Sequence, residues 1–275
     1  MGRVSTGEAE LTGFSPSWVT VAPMKRIARP YALLCALVLL AATSASEAAA
    51  GDGPGPLGVT VVAAATAQAD QVGALFDADR ADRLAGGHFC TASVVHSPHH
   101  NLVVTAAHCL DGAGHGDLVF VPGYRDGQAP YGVWRVKRRF LPEGWAKEED
   151  EDSDVAFAVL AEEGGKGVED VVGGFTFATG VATGATAVTL TGYPDAREVP
   201  VRCTNRPILH SRTQQRVDCP DFTGGTSGSP WVNGDGQVVG VLGGHEEGGV
   251  TPDVSYSVVL GAEARELYRD AAADP

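Results

Sequence analysis

From Val72 onward the chain alternates short β-type runs with clusters of turn residues. The runs are Thr91–Val95, Leu102–Thr105, Leu118–Val121, Val133–Val136, Val155–Leu160, Ala187–Thr191, Val238–Leu242 and Ser255–Leu260, punctuated by Gly and Pro. Many short strands separated by turns predict an antiparallel sandwich or barrel. The one clear helical pattern is Ala262–Ala271, where Ala264, Leu267 and Tyr268 share a face. This helix is expected to cap the domain. The polar, acidic stretch Lys147–Ser153 and the glycine-rich Gly164–Gly174 break the strand pattern. They place a boundary between two halves near residue 170, giving segments 72–169 and 170–275. No internal repeat is evident.

The N-terminus has a different pattern. Met24-Lys25-Arg26 opens a basic stretch, Tyr31 to Ala42 is apolar, and Ala48-Ala49-Ala50 offers small residues for cleavage. Residues 24–50 therefore read as a secretory signal peptide. The uninterrupted apolar run is shorter than the ~20 residues a spanning helix needs, so no stable membrane anchor is expected after cleavage. Cys35 is not read as a lipoprotein cysteine, because a leucine precedes it and the apolar run continues past it. Residues 1–23 read as an over-extended translation start. Residues 51–71, rich in Ala, Gly and Pro, read as a flexible leader or short pro-segment.

Charge and cysteines narrow the classes further. Beyond residue 50 the chain holds 16 Lys and Arg against 31 Asp and Glu. Binding to nucleic acid through phosphate neutralisation is not expected of such a surface. Four cysteines remain after residue 50: Cys90, Cys109, Cys203 and Cys219. Three pairings can be drawn; the sequential one closes two short loops. Disulfides suit the oxidising compartment that a signal peptide implies, so the protein is expected to be secreted and extracellular. A monomer is expected.

Three short motifs carry candidate chemistry, in the order His, Asp, Ser. They are Thr105-Ala106-Ala107-His108-Cys109, Asp154-Val155-Ala156-Phe157 and Gly225-Thr226-Ser227-Gly228-Ser229-Pro230. Serine is a poor nucleophile at neutral pH and needs a base in hydrogen-bond reach. Imidazole suits that task, and a buried carboxylate fixes its tautomer. Ser227 is the candidate nucleophile, His108 the base and Asp154 the orienting acid. Asp150 and Asp152 compete with Asp154, but only Asp154 opens an apolar run that would carry it inward. Gly224, Gly225 and Gly228 permit a tight turn that aims the amides of Gly225 and Ser227 at a developing oxyanion. His88, Cys90, His96, His99, His100, His108 and Cys109 crowd together, but zinc needs regular spacing and free thiolates. No metal and no cofactor are expected, and His96, His99 and His100 are read as solvated loop residues.

These motifs, with the late strand Gly240-Val241-Leu242-Gly243-Gly244, resemble the trypsin/chymotrypsin-fold serine proteases, in particular the secreted bacterial trypsin-like and glutamyl-endopeptidase-like branch. The resemblance runs from about Val72 to Tyr268. It implies an all-β fold of two six-stranded antiparallel barrels, over 72–169 and 170–275, with a C-terminal helix and the active site between them. It implies a Cys90–Cys109 disulfide and a peptide or protein substrate whose backbone pairs with Leu242–Gly244. Asp221, six residues before Ser227, stands at the offset of the trypsin-like pocket carboxylate. The chain departs from zymogen-activated members: Thr226 precedes the nucleophile where they carry Asp. Activation by an N-terminal ion pair is therefore not expected. An α/β-hydrolase is disfavoured because Ser229 stands where its elbow needs glycine. The reading is a secreted serine endopeptidase working through an acyl-enzyme; the alternative is a catalytically silent protease fold used for binding.

Overall fold

The computed structural model describes residues 56–111 and 116–275. The expected translation start, the signal peptide and the first residues of the leader lie outside these described residues. Among the described residues no helix is long and apolar enough to cross a membrane.

The first half is a closed six-stranded antiparallel barrel. Its strands are β2 (Val72–Asp77), β3 (His88–Val94), β4 (Leu102–Thr105), β5 (Leu118–Pro122), β6 (Trp134–Phe140) and β7 (Ala156–Leu160), hydrogen-bonded in the order β2-β3-β4-β7-β6-β5. Successive side chains of a strand face opposite sides. Leu75, Val103, Phe120, Ala156 and Ala158 thus fall into one buried cluster. Ala74, Phe76, Leu102, Val104 and Phe157 fall into another, which also holds Tyr193, Val232 and Val241 from the second half. With both faces buried, β7 is wholly apolar rather than alternating.

The second half varies on the expected barrel. Strands β1 (Thr60–Val62), β10 (Val201–Asn205), β9 (Val188–Gly192), β13 (Pro230–Asn233), β14 (Gln237–Val241) and β8 (Thr176–Phe177) form a six-stranded sheet in that order. Strands β11 (Ile208–Leu209), β12 (Gln214–Asp218) and β15 (Val254–Val258) form a separate three-stranded sheet. The β8–β14 pair is parallel rather than antiparallel. The two sheets are joined beside β14 by Val241 N donating to Ser257 Oγ (2.9 Å) and Gly243 N donating to Tyr256 O (3.0 Å).

Three stretches read as irregular carry structure. The stretch read as a leader contributes β1, paired antiparallel with β10, and a helical turn α1 (Ala67–Asp70) capped by Thr66. The pairing satisfies backbone groups, which a count of large apolar residues cannot anticipate. The acidic stretch takes the end of α2 (Glu143–Glu148) and a 3-10 turn, Glu151–Ser153, and the glycine-rich stretch holds α3 (Val168–Val172). His96 and His100 keep exposed side chains in a loop, as expected, and also meet α3: their Nδ1 atoms lie 2.6 Å from Glu169 Oε1 and Asp170 Oδ1. The terminal helix α4 (Ala262–Ala272) crosses back to the first barrel. There Tyr268 packs on Phe157 and donates to His96 O at 2.6 Å.

Both sequential disulfides are formed. Cys90–Cys109 ties β3 to the turn after β4, and Cys203–Cys219 ties β10 to the residue after β12. They span 19 and 16 residues. Loop-closure entropy assigns each about 3 kcal/mol. Replacing Cys203 and Cys219 together by serine is expected to lower the unfolding free energy by about that much. An unchanged urea midpoint would show that the loop is ordered without its bridge.

Candidate active site

His108 sits in a short 3-10 turn, Ala107–Cys109, directly after β4. The disulfide at Cys109 pins this turn to β3. Asp154 follows a second 3-10 turn, Glu151–Ser153, and is fully buried. Its carboxylate collects three donors. Oδ1 accepts His108 N at 3.0 Å, and Oδ2 accepts His108 Nδ1 at 2.8 Å and Gly244 N at 2.7 Å. A buried carboxylate needs such partners, because an unpaired charge away from water is costly. An ionised Asp154 accepts only, so Nδ1 carries a proton and neutral His108 presents Nε2 as its free acceptor. The Trp145 ring, from α2, lies 6.2 Å from the imidazole.

Burial is the largest single influence on His108 and pulls its pKa down. The hydrogen bond to Asp154, with the charges of Asp154, Glu247 and Asp111, outweighs it, and the pKa lies above the ordinary 6.5. The direction follows from a carboxylate that stabilises imidazolium more than burial penalises it.

Ser227 lies on a loop of the second half that the first barrel holds. Thr91, in β3, donates N to Ser227 O (2.7 Å) and Oγ1 to Gly225 O (3.0 Å). The same hydroxyl accepts Tyr193 N at 2.9 Å. On the other side Gly228 N donates to Leu242 O (2.7 Å) and Leu242 N to Ser229 O (2.9 Å). Thr226 N and Ser229 N are taken by Thr223 O and Thr226 O. Gly225 N and Ser227 N take no acceptor among the described residues, the state an oxyanion-binding pair requires. Glycine is needed at 225: its φ is +86°, and a Cβ there would stand 2.6 Å from Tyr193 O and from Asp195 N. The Thr226 hydroxyl is buried and donates to Thr223 O at 2.7 Å.

The structure thus brings His108 and Asp154 into direct contact and holds Ser227 on a loop bonded to Thr91 of the first barrel. Gly243 lies against the acid: a Cβ there would meet Asp154 Oδ2 at 2.6 Å. Leu242 lines a pocket of about 380 Å³ that Ser227 also lines, with Phe222, Thr226 and the 246–252 segment. Asp221 is not brought to it. Asp221 is exposed, in a turn with φ +65°, and does not line the pocket. Its sequence offset from Ser227 matches, but the turn after Cys219 carries it away. Cys90, His108 and Cys109 do come within ligand reach of one another. Both sulfurs are consumed in a disulfide, so they offer no thiolate to a metal.

Two positioning residues escaped the sequence. Thr91 is one. Gln214 is the other: its Nε2 donates to Glu151 O (2.8 Å) and Asp152 Oδ1 (2.9 Å). It holds the turn before Asp154 beside Gly244. Neither carries a motif, because hydrogen bonding across the seam has no local sequence signature.

Residues 90–241 match the family model of the trypsin-like peptidase domain, more than half of the chain. The chain belongs to the trypsin-like peptidase family. Within it, a glutamyl endopeptidase of Bacillus licheniformis is 32% identical over 135 residues, spanning 46% of this chain and 41% of that relative. The match thus covers under half of the relative's length. The crystal structure of the protease Anisep from Arthrobacter nicotinovorans is 30% identical, with TM-score 0.65, covering 74% of this chain and 96% of that one. A thermostable serine protease from an extremophilic microorganism is 29% identical, also with TM-score 0.65, covering 76% and 100%. This trypsin-like peptidase therefore shares both fold and substantial sequence with bacterial serine proteases.

Proposed function

We propose that the chain is a secreted serine endopeptidase that cleaves peptide bonds through an acyl-enzyme. The observation that carries the reading is the buried Asp154 carboxylate binding both the backbone and Nδ1 of His108. It orients an imidazole whose remaining nitrogen is an acceptor. Ser227 Oγ attacks the peptide carbonyl and its proton passes to His108 Nε2. The Gly225 and Ser227 amides hold the oxyanion. Collapse expels the amine, which takes the proton from His108, and water then repeats the sequence to release the acid. Gly243 N and Gly244 N are already engaged, so a substrate strand would be held through the carbonyls of this segment. The two disulfides suit an extracellular setting.

The test is labelling by a fluorophosphonate, with the modified peptide mapped by mass spectrometry. Label on Ser227 supports the reading. Folded, oxidised protein that takes no label favours a protease fold used only for binding.

The pH profile follows from the sign of the His108 shift. The base must be neutral, so activity belongs to the alkaline side and falls as pH drops through the imidazole pKa. The acid limb of kcat/KM is therefore expected to have its midpoint above 6.5. A midpoint below that value would remove Asp154 as the dominant partner.

The glutamate in the name of the Bacillus licheniformis relative describes that protein. The pocket of this chain presents carboxylates of its own, which argues against an acidic substrate residue here.

A further inference from the structure

The pocket shared by Ser227 and Leu242 has an unbalanced chemistry. Its buried wall is made by the apolar Leu242 and Phe222 with Thr226, whose hydroxyl is spent on Thr223 O, and Gly248, while Pro252 and the exposed Val250 lie toward solvent. Glu246 and Glu247 are its only charged lining residues, and no Lys, Arg or His lines it among the described residues. Both glutamates are solvent-exposed and make no ion pair among the described residues. Among the described residues no cation is paired with either carboxylate. Among the described residues the one hydrogen bond from either residue to another side chain uses the backbone: Glu246 N donates to Glu151 Oε1 at 2.9 Å, and the other oxygen of that third carboxylate lies 3.4 Å from His245 Nδ1.

The backbone enforces this placement. Glu246 and Glu247 have φ of +52° and +54°, between Gly244 at +78° and Gly248 at +109°. Two consecutive L residues in the left-handed region are disfavoured, and glycine would fit the turn with less strain. Glu247 is also close enough to the reacting centre for its charge to act on His108. The acidic edge therefore belongs to the pocket next to the nucleophile and not to a distant surface.

We propose that this pocket selects a long cationic side chain, lysine or arginine, on the acyl side of the cleaved bond, with Glu246 and Glu247 as the residues that set the preference. The inference rests on the reading of Ser227 as nucleophile. A lysine or arginine stem can lie along apolar surface while its head stays at the wet, charged edge. The Leu242 and Phe222 wall supplies that surface and the two carboxylates meet the head. A glutamate in the same pocket would bring a like charge beside them with nothing to pair it.

The experiment uses the full secreted chain and a set of internally quenched peptides that differ only in the residue before the cleaved bond. Fluorophosphonate titration first counts the active sites. Lysine and arginine peptides are expected to exceed the glutamate peptide in kcat/KM by about tenfold or more, as two partly screened ion pairs allow. The ratio is expected to narrow at high salt, because exposed charges are screened. In the Glu246→Gln/Glu247→Gln double variant the Lys-to-Glu ratio is expected to fall at least about fivefold, and Glu247→Lys to push it further toward glutamate. Protein that titrates on Ser227 yet cleaves after glutamate as fast as after lysine overturns the proposal alone. So does a ratio that the double variant leaves unmoved. Protein that takes no label overturns the reading of Ser227, and this proposal with it.

Discussion

Replacing Ser227 by alanine is expected to lower kcat by about 10⁶-fold while leaving the melting temperature unchanged. The size follows from the division of labour at the site. In the proposed mechanism, without the hydroxyl His108 and Asp154 have no group to activate, and only binding and the oxyanion amides remain. The fold should not notice, because the loop is held by other atoms. Ser227 contributes its carbonyl to Thr91, and Thr91 Oγ1 holds Gly225. The neighbouring Ser229 gives the contrast. It is fully buried and its hydroxyl donates to Thr226 O at 2.6 Å. Ser229→Ala is expected to cost about 1 kcal/mol of stability and little of the chemistry. Single-turnover kinetics beside thermal melts separate the two. Residual activity above a hundredth in a verified Ser227→Ala sample would refute the nucleophile.

Asp154→Asn is expected to be nearly as damaging, with a loss of about 10⁴-fold near neutral pH. The reason lies in the count of acceptors. Oδ1 takes His108 N, while Oδ2 takes both His108 Nδ1 and Gly244 N. An amide keeps one acceptor oxygen and turns the other position into a donor. With its NH₂ toward His108 N, two donors face each other across a buried contact. With its NH₂ toward Nδ1, the imidazole must take the wrong tautomer and Gly244 N loses its acceptor. Either way a buried donor is left unpaired, at about 1–3 kcal/mol. Unlike Ser227→Ala, this variant should therefore also melt earlier. Activity within tenfold of the parent would show that the carboxylate does not orient the base.

What could be read from the sequence follows from burial. Runs such as Leu102–Thr105 and Val155–Leu160 were legible because a barrel buried on both faces uses unbroken apolar strands. Strand β12 was not, because Gln214 and Gln215 are polar yet buried. They go inside through hydrogen bonds, Gln215 Nε2 to Val239 O among them, and such partners leave no mark on a hydropathy pattern. Strand β1 was missed for a related reason: Val61 and Val62 stay exposed, and pairing with β10 rather than burial makes the strand. At the site, His108, Asp154 and Ser227 each sit beside a local signal. The pocket wall does not. Its carboxylates arrive through a turn of positive φ 19 and 20 residues beyond Ser227, and the offset that pointed to Asp221 measures chain length rather than direction.

The bond from Gly244 N to Asp154 joins the two halves at the point where chemistry would begin. The first half holds the candidate base and acid; the second holds the candidate nucleophile and oxyanion amides, and lends the acid its third donor. No partly folded chain contains a complete centre. A nascent protease is surrounded by the best substrates it will ever meet, namely other unfolded copies of itself. Under the proposed reading, dividing the machinery between two halves would tie the onset of cutting to their docking, and so shield the newborn population from its own activity.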